Sequence, residues 1–120
     1  MKIIENFEKD FSFSIPSLVI TGGGSLNDHW MQIFADVTKR KIVTTNQPKL
    51  AGALGATMCV LVGSGVFKEF KSVKQIVLKS KEFIPDQKNF EVYDGLFKDY
   101  KNLYTSLKSS YEKSNAKRFA

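Results

Sequence analysis

Three consecutive glycines, Gly22, Gly23 and Gly24, stand between a short β-branched run, SLVIT (Ser17 to Thr21), and a segment with the apolar spacing of a helix. Pro16 and the glycines bound the run, which reads as a buried parallel strand of an α/β unit. Glycine at a strand's carboxyl end permits positive φ and lets a planar ligand approach bare backbone. The N-terminus of the helix that follows offers free amide donors to phosphate oxygens. A nucleotide site is the natural reading of such a turn. It is not the dinucleotide fingerprint, whose third glycine would fall at Asn27, and no Gly-Lys-Ser/Thr follows to make a P-loop.

The rest of the chain fits the same class. Met1 to Asp10 has the pattern of a short amphipathic helix without an N-terminal cap, which suggests further chain upstream, and Phe11 to Pro16 is a connector. Asn27 to Thr38 reads as a helix capped by Ser25 or Asn27, with Trp30, Ile33, Phe34 and Val37 on its core face. KIVTT (Lys41 to Thr45) is a second strand, followed by an Asn46-Gln47-Pro48 loop. A helix is expected from Lys49 to about Val62, ending near Gly63 and Gly65. Gly52 and Gly55 inside it imply close approach of another backbone or a ligand. Val73 to Leu78 is expected as a short helix, Phe83 to Asp86 as a loop or brief strand, Asn89 to Lys113 as a long helix with a broad aromatic face, and Ser114 to Ala120 as a frayed end.

Composition narrows the function classes. A single cysteine, Cys59, precludes an internal disulfide, and with His29 as the sole histidine no zinc cluster can assemble. The N-terminal stretch has neither a signal peptide's apolar run nor the length of a membrane span, so a cytoplasmic chain with no membrane partner is expected. The basic residues behind the formal charge of +6 are dispersed, most of them from Lys39 to Arg118, without an aromatic-basic motif, so they read as a solvated surface, with nucleic acid not expected as a partner.

A longer pattern gives the glycine turn a context. TGGGSLNDHWMQIFADVTKRKIVTT (Thr21 to Thr45), followed by AGALGATMCVLVGSGVF (Ala51 to Phe67), closely resembles the C-terminal signature of the FGGY carbohydrate kinases, and of the xylulokinase-like members in particular. The resemblance includes the glycine triplet, the Asn three positions beyond it, the Trp-x-Gln-x-x-Ala-Asp segment, the ALGA helix and the GxGVF ending. It extends more loosely through Tyr93, Tyr100 and Tyr104.

That resemblance implies a fragment of the actin-like, ribonuclease-H-like ATPase fold: short, mostly parallel strands, flanking helices and a long C-terminal helix. The whole of residues 1–120 would be the C-terminal part of the kinase's C-terminal domain. The glycine turn would pack against adenosine and α-phosphate, and Asn27 would lie beside the adenine. Gly22, Gly23, Gly24, Ser25 and Asn27 are therefore the expected ATP-binding residues, while Gly55 would serve packing behind the turn. Relatives often carry Glu where Leu50 stands. The family's catalytic Asp and phosphate-binding segments lie upstream of the matched region, so no catalytic or metal-binding residue is expected here. Magnesium would belong to the complete kinase. The chain would then phosphorylate a sugar only together with an N-terminal kinase domain. The alternative is a non-catalytic module acting by self-association or docking.

Individual residues also have plainer readings. Asp28 and Asp36 are eight apart on one helix, too far along the axis to share an ion, and are expected exposed or capping. Trp30 and Cys59 are expected buried, His29 on the surface, and Gln32 exposed.

Overall fold

The computed structural model of the chain describes residues 2–116, the side chains of Lys2 and Val73 excepted. Two compact units divide it, Met1–Gln87 and Lys88–Ala120.

The first unit is built around a three-stranded sheet in the order β1-β2-β3. Helix α1 (Lys2–Phe11) leads to β1 (Ser17–Ile20). A single 3-10 turn (Gly23–Leu26) then opens α2 (Asp28–Thr38), which returns the chain to β2 (Lys41–Thr45). β1 and β2 run parallel, Ser17 opposite Lys41 and Ile20 opposite Thr44. A second 3-10 turn (Pro48–Leu50) opens α3 (Ala51–Gly63), and a third (Phe70–Gln75) precedes β3 (Lys79–Phe83). β3 runs antiparallel to β2, with a shift in the pairing between Val43 and Thr45.

The core sits where α2 lies on the sheet. Met31, Ala35 and Ile42 are fully buried, with Leu18, Ile20 and Phe83 packed against them. Met31, Ala35 and Thr38 repeat at helical spacing, so they form the buried face of α2. That face differs from the one the apolar spacing predicts, because Trp30, Ile33 and Phe34 are exposed. Ala35 lets the helix approach the strands closely, and Trp30, Ile33 and Phe34 turn away. α2 ends at Lys39 in the left-handed conformation, φ 56°, with its N–H on the Ala35 carbonyl.

Other differences follow from the same packing. α3 buries only Met58, and Cys59 faces out rather than into a core. Among the described residues, nothing outside the local helix backbone stands within 4 Å of a Cβ built on Gly52 or Gly55, so no other element packs closely on these glycines. β3 falls between the short helix expected over Val73 to Leu78 and the loop or brief strand expected from Phe83, on residues for which, Phe83 apart, no element is expected. KSKEF carries three charges and no apolar alternation, and it is recruited as a strand by pairing with the edge of β2.

The second unit carries α4 (Phe90–Ala116), a helix of 27 residues. It continues through Ser114, Asn115 and Ala116, where fraying is expected. The last four residues of that expectation lie outside the described ones.

Candidate functional site

The glycine turn is fixed from both sides. Gly22 has φ 97° and ψ 173°, a conformation essentially reserved for glycine. Its N–H donates to the Pro48 carbonyl at 2.9 Å. Thr21 Oγ1 donates to the same carbonyl at 3.1 Å and stands 3.3 Å from Thr45 Oγ1, which ties the ends of β1 and β2 together.

Ser25 is buried. Its N–H and Oγ both donate to the Gly22 carbonyl, at 3.1 and 2.8 Å. The hydroxyl is thus spent on shaping the turn. Asn27 is the N-cap of α2: its Oδ1 accepts from the Trp30 N–H at 3.2 Å, and its own N–H donates to the Gly24 carbonyl at 3.2 Å. With the oxygen engaged on the helix, the Nδ2 amide is the end of this exposed side chain left for a ligand acceptor.

The outer surface of the turn is bare. A Cβ on Gly23 would meet nothing within 4 Å, and one on Gly24 would only reach ordinary contact, 3.8 Å, with the Trp30 ring. Trp30, 57% exposed, therefore stands beside the turn rather than in the core. Two hollows adjoin it. One of about 90 Å³ is lined by Ser25, Leu26, Asp28, Thr44, Ser80 and Lys81. Another of about 210 Å³ is mostly apolar and lies between Val19, Thr21, Thr45, Leu54 and Gly55. Both sit at the carboxyl ends of the parallel strands, where open α/β sheets hold their ligands.

A larger hollow, about 540 Å³, lies instead at the amino ends of β1 and β2, among Glu8, Ile15, Pro16, Thr38 and Arg40. It is a polar clamp. Glu8 Oε1 accepts from the Ile15 N–H at 2.7 Å, and its Oε2 pairs with Arg40, whose Nε donates to the Ile15 carbonyl at 3.1 Å. The Ile15 amide foremost, with Arg40 adding to it, holds the Glu8 carboxyl below the usual range against a smaller opposing effect of burial.

Two residues of the Trp-x-Gln-x-x-Ala-Asp segment do more than the sequence suggests. Asp36, expected exposed or capping, is 2% exposed, and its Oδ1 accepts from the Asp86 N–H at 2.8 Å and from Gln32 Nε2 at 2.9 Å. Gln32 Nε2 also donates to the Ile84 carbonyl at 2.8 Å. Their partners lie some fifty residues further along the chain, so no local pattern exposes the role.

The family profile described as the C-terminal domain of the FGGY family of carbohydrate kinases matches residues 1–64, more than half of the chain. The chain belongs to the FGGY carbohydrate kinases. Xylulose kinase of Bacillus subtilis (strain 168) is similar to it at 33% identity over 96 residues, covering 79% of this chain and 19% of that protein. Autoinducer-2 kinase of Enterobacter sp. (strain 638) is 34% identical over 89 residues, covering 73% and 17%. In three dimensions, ligand-bound xylulose kinase from Lactobacillus acidophilus superposes with a TM-score of 0.72 at 26% identity, covering 82% of this chain and 20% of that one. The FGGY segment seen here thus spans about a fifth of the length of these kinases, and its α/β fold with a small sheet is theirs. Among the described residues no helix is long and apolar enough to cross a membrane.

Proposed function

We propose that this chain is the nucleotide-side segment of an ATP-dependent kinase of a xylulose-like sugar, in which Gly22, Gly23, Gly24, Ser25 and Asn27 receive the adenosine moiety and its α-phosphate. The observation that carries this reading is the bare backbone of Gly23 and Gly24 at the carboxyl end of β1. Side chains there would occupy the space a planar ring and a phosphate need. Gly22 supplies the bend and Ser25 holds it. Asn27 keeps the following helix capped while its amide faces out to an adenine acceptor.

Transfer of the γ-phosphoryl group to a sugar hydroxyl needs more than this turn provides: a base, a magnesium site and a sugar pocket, all held in register. The carboxylates of α2 do not fit magnesium. Asp28 is paired with Lys81 at 2.7 Å, and Asp36 is buried and accepts two hydrogen bonds. The remaining four-fifths of a kinase's length is where those parts belong, and this segment alone should turn over negligibly.

The sole tryptophan makes a direct test, because the Trp30 ring lies beside Gly24. Titration with ATP, ADP or adenosine should change its fluorescence saturably, and calorimetry should give the same midpoint. Gly23→Val should weaken binding at least about tenfold by filling the open space over the turn. A variant that binds nucleotide as well as the parent does would reject the site. A coupled ADP-release assay with pentoses should stay at background.

A second reading is a non-catalytic association module. Trp30, Ile33 and Phe34 support it as exposed apolar residues on one stretch of α2.

A further inference from the structure

β3 says little by itself about how it should line up with β2. Lys79, Ser80, Lys81 and Glu82 are all exposed, and only Phe83 reaches the core. With a single apolar residue at its end, hydrophobic patterning specifies the register of this strand only weakly. The ladder to β2 is also interrupted. Pairing shifts between Val43 and Thr45, and the Lys81 N–H donates there to the Thr44 hydroxyl at 3.2 Å.

α2 supplies what the strand lacks. Asp28, Gln32 and Asp36 are spaced by four and form one polar row along the helix. Asp28 binds Lys81 Nζ through both oxygens, at 2.9 and 2.7 Å. Gln32 donates to the Ile84 carbonyl and to Asp36, and Asp36 accepts from the Asp86 N–H. Helix positions 28, 32 and 36 thus meet chain positions 81, 84 and 86 in the same order, and a slip in register would break every one of these contacts together.

We propose that the Asp28-Gln32-Asp36 row sets the register of β3, and through it the placement of Ser80 and Lys81 in the small cleft under the glycine turn. All three are positioning residues. This inference goes beyond the nucleotide reading and does not depend on it. The rungs are unequal. Asp28–Lys81 is an exposed ion pair of small effect. Asp36 is itself buried and its hydrogen bond from the Asp86 N–H, at 2.8 Å, is partly shielded from water, so this rung dominates.

Disulfide trapping reads the register directly. In a Cys59→Ser background of the full chain, Val43→Cys with Glu82→Cys joins native partners, and Val43→Cys with Ile84→Cys joins residues brought opposite by a two-residue slip. The native pair should oxidise and the slipped pair should not. Adding Asp36→Ala should lower the native-pair yield roughly tenfold and raise the slipped one, whereas Asp36→Asn, which keeps an acceptor oxygen in place, should restore the parent result. Asp28→Ala should change the yield less than about twofold. Should Asp36→Ala lose its helical signal by circular dichroism, Gln32→Ala carries the same comparison from a less buried site, with the same direction of change expected. Undiminished native-pair yield in whichever of these two variants folds would overturn the proposal.

Discussion

Gly22 and Gly23 answer to different constraints, and substitution separates them. Gly22 is held at φ 97°, so any side chain there strains the backbone, at a cost of about 1–3 kcal/mol. Gly23 has negative φ and open space around it, so its demand comes from outside the chain. Gly22→Ala should lower the thermal midpoint by several degrees, and Gly23→Ala should leave it nearly unchanged. Equal losses in the two variants would mean that Gly23 is held by packing that the geometry does not contain. The triplet was legible in the sequence as a turn and as bare backbone. Which glycine bends the chain and which leaves room was not, because that division depends on where Pro48 places its carbonyl.

The Glu8 carboxyl gives a prediction in pH. Its folded pKa is depressed, chiefly by the Ile15 amide and further by Arg40. The stability it contributes is therefore fully present above the ordinary carboxylate range and is lost as pH falls through the lowered folded value. Thermal unfolding of the parent and of Glu8→Gln should differ at neutral pH and converge in acid. Curves that stay equally far apart down to pH 3 would show that the clamp works through something other than ionisation. Nothing local marked this residue, since its partners are Ile15 and an arginine 32 positions away.

At the scale of elements, α2 shows what periodicity can and cannot decide. Its extent follows from sequence, which leaves the cap open between Ser25 and Asn27, but Trp30, Ile33 and Phe34 of the expected apolar stripe are exposed while Met31, Ala35 and Thr38 make the buried face. Two apolar stripes lie side by side on this helix, and only the position of the sheet chooses between them. The cap can be tested apart from any ligand role. Asn27→Ala removes the side-chain acceptor for the Trp30 N–H and should cost about 1 kcal/mol. Asn27→Asp keeps the acceptor and adds favourable charge at the helix start. It should hold the thermal midpoint while losing the outward amide donor, so it should weaken adenosine binding without weakening the fold. Normal adenosine binding by Asn27→Asp would remove Asn27 from the nucleotide site. β3 marks the opposite limit: nothing in KSKEF announces a strand, because its pairing and its anchors are supplied by β2 and α2.

For the molecule as a whole, charge and apolar exposure pull in opposite directions. Within the first unit Ile3, Phe11, Val19, Trp30 and Val60 are all more than half exposed, while the chain carries a formal charge of +6. Apolar exposure of this kind favours association, and like charge opposes it over roughly 10 Å at 0.1 M salt and about 3 Å at 1 M. Raising the salt removes the opposing term and leaves the apolar one in place. The weight-average mass from sedimentation equilibrium should therefore rise between 20 mM and 500 mM NaCl, and Trp30→Lys should reduce the rise by adding charge to the exposed face of α2. Ion-pair-driven association would give the reverse, since screening weakens pairs between exposed charges as readily as it weakens repulsion. A mass that falls with salt would mean that the basic surface meets acidic partners and that the uncovered apolar residues of α2 are not what brings copies together.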